Sequence, residues 1–142
     1  MNFASQAARR GGQPLHLARD AKVGLTATTG HWYSKKVGKK WAESTSWIRI
    51  SDFQKYIGNL KSISNPLKSL DAVRKQARLG DIVLVKGKGH KSPGHVMIVG
   101  SIKKNGEIVL YYHTNDTFKT LKDFNKKYNE GKLGNTYYVV RM

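Results

Sequence analysis

The sequence predicts an α+β fold in which N-terminal helices precede a small, mostly antiparallel β-sheet or half-barrel. Apolar residues recur at helical spacing in the first half of the chain, and short β-branched runs replace that spacing after Gly80. Asn105–Gly106, a strong signal for a tight hairpin turn, lies between two of these runs. The length of 142 residues suits one domain, so we expect a single domain over 1–142.

The helical signals come first along the chain. Residues 2–10 place alanine and phenylalanine at helical spacing and are followed by two glycines, which predicts one helix. Residues 13–46 have no clean period, and we expect an irregular or weakly stranded excursion there. Ser51 is a candidate N-cap for a short helix over 52–59. Leucine, valine and alanine at three- and four-residue steps predict another helix over 67–78.

The strand signals follow. Residues 81–87 contain a short β-branched run, and residues 95–113 hold two apolar runs around the Asn105–Gly106 turn, which predicts a hairpin. A short helix is expected near 121–128, and residues 136–142 read as a closing strand. The Gly80–Asp81 step before the first strand is interpreted as a helix C-cap followed by a turn, without a catalytic role.

Composition limits the partners and the chemistry. Lys and Arg number 26 against 9 Asp and Glu, so the formal net charge is +17, which favours nucleic acid, an acidic membrane surface or a phosphate-rich cell wall as partner. The 142 residues contain no cysteine, which excludes a disulfide framework and a cysteine nucleophile among them. No apolar run approaches the ~20 residues of a membrane span, and the first ten residues do not resemble a signal peptide.

His95 is the leading candidate for catalysis. It stands at the first position of an apolar strand, directly after the turn residues 92–94, where an imidazole can be half buried and still reach solvent. Histidine is the natural general base near neutral pH. The plainer alternative is a histidine that only begins a strand.

The partner strand ends in polar residues, and its register decides which of them faces His95. A two-residue turn at Asn105–Gly106 would place Asp116 opposite His95. A three-residue loop would place Asn115 there, with His113 on the diagonal of the same face. Either group would fix the tautomer of a catalytic imidazole. The alternative is a polar strand end that only caps a turn.

Other catalytic chemistries are weakly supported. Ser5 and Ser92 do not lie in a nucleophile elbow, which argues against a serine hydrolase. His90, His95 and His113 could supply nitrogen ligands to a metal together with Asp116, but their spacing matches no standard zinc pattern. A metal stays a minor alternative, and we expect no metal and no other cofactor.

Three tryptophans among lysines are candidate substrate-binding residues. Trp32, Trp41 and Trp47 alternate with basic residues, and such aromatics stack on nucleobases or sugar rings. For Trp47 a place in the core is the favoured interpretation, and for the other two both interpretations stay open.

The chain resembles the Putative amidase domain family, a branch of the papain-like superfamily related to the CHAP and NlpC-type cell-wall hydrolases. The resemblance covers most of the chain and consists of blocks in a fixed order. These blocks are Asn2-Phe3-Ala4-Ser5-Gln6 with Gly11–Gly12, Ser46-Trp47 with Phe53 and Tyr56, Gly80-Asp81-Ile82-Val83, Gly94-His95-Val96-Met97-Ile98-Val99 and His113-Thr114-Asn115-Asp116.

The resemblance implies a papain-like fold and a thiol mechanism. In that family a cysteine stands two places before the asparagine that Asn2 matches, which is one position before Met1. That thiolate would lie at the N-terminus of the first helix, with the backbone near Asn2 and Phe3 forming the oxyanion site. His95 would hold the proton of the thiol, and His113 or Asn115 would orient the His95 imidazole. We expect these groups to meet in one cleft.

Three explanations of the absent cysteine follow: a truncated sequence or wrongly assigned start, a degenerate relative, or a site completed by a partner chain. The first is favoured because His95 and the polar block look intact. The resemblance then implies a monomeric, secreted or wall-associated bacterial enzyme that hydrolyses amide bonds of peptidoglycan, and a chain inactive without the cysteine. The alternatives are a non-catalytic basic module that binds wall polymer or nucleic acid, without specificity for the latter, and an antibacterial toxin domain of the same fold.

Overall fold

The fold is α+β, as predicted. The structure, a computed structural model, describes residues 1–113, 117–129 and 134–141. Within these ranges the chain forms five helices, one three-stranded sheet and one five-stranded sheet. The chain divides into two compact units, residues 1–62 and 63–142. The single domain over 1–142 stays a prediction.

The first unit combines three helices with the three-stranded sheet. Its elements are α1 (Asn2–Arg10), β1 (Gly24–Thr26), β2 (Ser34–Val37), β3 (Lys40–Ser44), α2 (Thr45–Ile48) and α3 (Ile50–Asn59). β3 lies in the middle, parallel to β1 and antiparallel to β2. The weakly stranded segment predicted over 13–46 is therefore confirmed, and its short strands explain why the sequence shows no clean period there.

Two helices of this unit test the capping predictions. α1 spans the predicted residues 2–10. α3 begins at Ile50, so Ser51 lies inside the helix and the prediction that Ser51 caps it was wrong. The reason is the preceding helix: α2 ends at Ile48 and only the extended Arg49 separates it from α3, which makes Arg49 the N-cap.

The second unit is built on the five-stranded sheet. Its elements are α4 (Leu70–Gln76), β4 (Ile82–Lys86), β5 (His95–Ile102), β6 (Ile108–Tyr112), β7 (Thr117–Thr120), α5 (Leu121–Asn129) and β8 (Thr136–Val140). The strand order is β7-β6-β5-β4-β8, and every neighbouring pair is antiparallel. α4 is shorter than predicted because Leu67 pairs with Tyr137 as an isolated bridge and Ser69 caps the helix by accepting from the Ala72 amide.

One face of this sheet holds the core of the unit. Alternate residues of β4, β5, β6 and β8 point to it, and α4 and α5 add Val73, Leu121 and Phe124. Fourteen buried side chains form this cluster: Leu67, Val73, Ala77, Val83, Val85, Met97, Val99, Ile108, Leu110, Tyr112, Leu121, Phe124, Tyr137 and Val139. Burial of such apolar area is the main stabilising contribution to the unit.

The Gly80–Asp81 step is structural. The interpretation of Gly80 as a helix C-cap was wrong, because α4 ends at Gln76 and its C-cap is Ala77. Gly80 lies in the following turn with φ 87°, a conformation that favours glycine. The buried Asp81 carboxylate accepts the Arg78 amide at 2.8 Å and the Arg141 guanidinium at 2.8 Å. Asp81 therefore joins this turn to the residue that follows β8.

The β5–β6 hairpin changes register before it reaches His95. Next to the turn, Ile102 faces Ile108, which is the register of a three-residue loop. A bulge at Gly100 then shifts the pairing by one residue, so that Val99 faces Leu110. A Cβ at Gly100 would overlap the Tyr111 ring, so any other residue at the bulge would have to displace that ring. Neither predicted register continues past this point.

No helix within the described ranges combines the length and apolar character that a membrane crossing requires.

Candidate functional site

His95 lies where the sequence placed it, at the start of β5. It pairs with Val85 of β4, and the Gly94 amide donates to the Val85 carbonyl at 2.9 Å, which fixes the turn in front of it. Strand alternation puts the imidazole on the same sheet face as Met97 and Val99, at the edge of the core cluster. The side chain is half-buried.

Two aromatic rings of α5 cover this imidazole. The Tyr128 ring lies 4.6 Å from it between centroids, and the Phe124 ring meets it edge-to-face at 5.4 Å. Burial lowers the pKa of His95. Burial therefore favours the neutral imidazole, which is the form that accepts a proton.

Sequence reasoning predicted α5 but not its part in the site. Phe124 and Tyr128 are four residues apart and so share one face of the helix, a spacing that marks an aromatic face but does not say what it covers. Phe124 also contacts the Tyr112 ring at 5.8 Å. The buried Tyr112 hydroxyl has no hydrogen-bond partner within the described ranges, and burial raises its pKa.

The group that orients His95 stays a prediction. His113 directly follows β6 and is exposed. Asn115 and Asp116, the other two candidates, lie outside the described residues.

The first turn of α1 holds Asn2 in a fixed place. The Asn2 Oδ1 atom accepts the Trp47 indole N–H at 2.9 Å and the Gln6 amide at 3.1 Å. This turn contains no acidic residue, and no side chain caps it. No carboxylate of the first turn therefore neutralises the positive end of the helix dipole. This positive end favours an anion near Asn2 and Phe3.

Ser5 serves the structure of the first unit. It is fully buried, and its hydroxyl donates to the Trp47 carbonyl at 2.9 Å while it accepts the Trp32 indole N–H at 3.2 Å. Both bonds hold the hydroxyl in place, which agrees with the sequence argument against a serine nucleophile.

The three predicted tryptophans have different surroundings. Trp32 is fully buried, Trp47 is 4% exposed, and their rings pack together at 4.7 Å between centroids. Trp41 on β3 is 54% exposed and lines a cavity of about 460 Å³. The core interpretation of Trp47 thus fits its burial, and Trp41 has the surface that a ligand needs.

Within residues 1–113, 117–129 and 134–141, no three histidine or acidic side chains converge as metal ligands would. His90 is exposed in the lysine- and glycine-rich loop between β4 and β5.

The class of protein follows from the sequence as a whole together with this fold. The family model described as Putative amidase domain matches residues 1–139, and the chain belongs to that family. Membership in this family supports an amidase-like function for the chain. Among curated proteins, none matches the chain.

Proposed function

We propose that this chain, with a cysteine directly before Met1, is a cysteine-type amidohydrolase that cleaves amide bonds of bacterial peptidoglycan. The observation that carries the proposal is His95, a half-buried imidazole of lowered pKa in a chain of the amidase family. A neutral imidazole can take a proton from a thiol and return it to a leaving amine.

The mechanism is acyl transfer through a thioester. His95 takes the thiol proton, and the thiolate attacks the carbonyl carbon of the amide. Backbone N–H groups near Asn2 and Phe3 stabilise the oxyanion of the tetrahedral intermediate. His95 then donates its proton to the leaving nitrogen, and the C–N bond breaks to release the amine. Water, deprotonated by His95, hydrolyses the thioester and restores the thiol.

The positive α1 N-terminus supports the thiolate. An uncapped helix start without acidic residues lowers the pKa of a thiol placed against it. Asn2, held by Trp47 and Gln6, keeps the first turn in one conformation. The reaction needs no metal or organic cofactor.

The charge supports a cell-wall location. A net charge of +17 attracts the protein to phosphate-bearing wall polymers and so concentrates it at its substrate. We therefore propose a secreted or wall-associated enzyme. As a separate proposal, we expect it to be a monomer.

The test is thiol-dependent cleavage of purified peptidoglycan. The chain extended by a short segment that places cysteine before Met1 should release new amino groups, and mass spectrometry of the products identifies the bond that breaks. The matched controls are the same extension with serine at that position and the 142-residue chain itself, both expected to be inactive. Equal amine release by the serine form, or no release from several wall types by the cysteine form, would contradict the proposal.

The second candidate is a basic binding module, favoured by the net charge and by the lack of cysteine in the 142 residues. Its signature is an affinity for unrelated nucleic acids and wall polymers that falls steeply with salt, together with an inactive cysteine form.

A further inference from the structure

The first unit contains a cavity whose lining combines cations, an indole and a carboxylate. Its volume is about 460 Å³. Seven residues of α1, β2, β3 and α2 line it: Gln6, Arg9, Arg10, Ser34, Trp41, Glu43 and Trp47. This lining is more specific than general surface charge, because each type of side chain recognises a different part of a ligand.

The two arginines are available to an anion. Arg9 donates to the Gln13 carbonyl at 3.2 Å, and neither Arg9 nor Arg10 forms an ion pair within the described chain. Their place in the last turn of α1 suits the helix dipole, which is the simplest reason for two cations there. That reason does not explain an exposed indole in the same cavity.

Trp41 supplies a flat apolar surface. It is 54% exposed, whereas Trp32 and Trp47 are buried. Its neighbour on β2 is Lys36, which lies directly opposite in the sheet. A solvated indole beside cations offers a stacking face for a ring that carries negative charge.

Glu43 supplies an acceptor for hydroxyl groups. It shares the Trp41 face of β3, because alternate strand residues point the same way. Ser34, its partner on β2, donates to Glu43 Oε1 at 2.8 Å and fixes the carboxylate. The other carboxylate oxygen of Glu43 has no hydrogen-bond partner within the described residues, and carboxylates accept hydrogen bonds from hydroxyls well.

We infer that this cavity binds an anionic sugar, with the ring on Trp41 and its carboxylate or phosphate on Arg9 and Arg10. Glu43 accepts from the ring hydroxyls. The inference deepens the proposed function by naming a part of the wall polymer that the protein holds, and it rests on that function only for the source of the sugar. Binding itself requires no thiol.

The experiment follows the indole N–H signals of the 142-residue chain by ¹H–¹⁵N NMR. N-acetylmuramic acid tests a carboxylate, N-acetylglucosamine 6-phosphate tests a phosphate, and N-acetylglucosamine is the uncharged control. At least one charged sugar should shift the Trp41 signal and bind roughly tenfold more tightly than the uncharged one. The Trp32 and Trp47 signals should move less, because their N–H groups are bonded inside the protein.

Charge removal gives the matched comparison. Arg9→Gln with Arg10→Gln should weaken binding of the charged sugar roughly tenfold and leave the uncharged sugar unaffected. Lys104→Gln with Lys122→Gln removes the same charge from two exposed positions and should change nothing. Trp41→Ala should abolish binding of all three.

Three results would overturn the inference: no shift of Trp41 with either charged sugar, equal affinity for the uncharged one, or equal loss in the lysine control. The outcome is separable from the proposed function. Sugar binding without wall cleavage by the cysteine form contradicts the enzyme alone, and cleavage without sugar binding contradicts this cavity alone.

Discussion

Replacing His95 with glutamine in the cysteine-bearing chain should lower kcat/KM for wall amide cleavage by roughly 10³-fold. Glutamine keeps a polar side chain at the half-buried position against Phe124 and Tyr128 but cannot exchange a proton. In the variant no side chain takes the proton from the thiol, and none donates a proton to the leaving amine. Amine release from purified peptidoglycan measures the effect.

His90→Gln is the matched control, since it removes an exposed imidazole from the loop in front of the same strand. We expect its activity to stay within about twofold of the parent, because surface substitutions away from a site have small effects. Circular dichroism and thermal unfolding should show both variants folded. If His95→Gln keeps parental activity, the histidine only begins a strand and the proposed base is wrong.

Phe124→Ala should destabilise the protein by about 3–5 kcal/mol, the usual cost of removing a buried phenylalanine. Phe124 is fully buried and its ring contacts His95, Tyr112 and Tyr128 at centroid distances of 5.4, 5.8 and 4.5 Å. Its loss leaves a cavity in the core cluster and admits water to the imidazole. Denaturant unfolding gives the stability change.

Phe124→Ala also tests, independently of stability, why the pKa of His95 is lowered. Burial is what lowers the pKa of this histidine, so removing Phe124 should raise that pKa towards the ordinary value. Titration of the imidazole by NMR checks it. Phe118→Ala is the control, because Phe118 is 62% exposed and stacks only on Tyr111 among the described residues. It should cost less than about 1 kcal/mol. If Phe124→Ala and Phe118→Ala lowered the free energy of unfolding equally, the assignment of Phe124 to the core would be contradicted.

The predicted fold depended on local periodicity, and it succeeded where periodicity decides. α1 and the hairpin strands follow from apolar spacing and the Asn105–Gly106 turn. β7 was missed because a four-residue strand in which no residue is fully buried carries no alternating pattern. The bulge at Gly100 was also missed, since a glycine inside a strand signals an irregularity without giving its effect on register.

The candidate site was predicted unevenly for a similar reason. His95 could be found because its neighbours in sequence define the mouth of a strand. The rings that cover it come from Phe124 and Tyr128 of α5, which are far from His95 along the chain, and only tertiary packing brings them together. The cavity arginines read as an ordinary helix end until β3 places Trp41 and Glu43 in the same cavity.

The most direct measurement is the pKa of the thiol of the cysteine placed before Met1. It is obtained from the rate at which this thiol reacts with iodoacetamide as a function of pH. If His95 holds the thiol proton, the rate profile gives a thiol pKa well below that of a free cysteine, and His95→Gln returns it towards the ordinary value. An ordinary thiol pKa in both proteins would show that the imidazole and the thiol do not interact, and the proposed catalytic pair would be wrong.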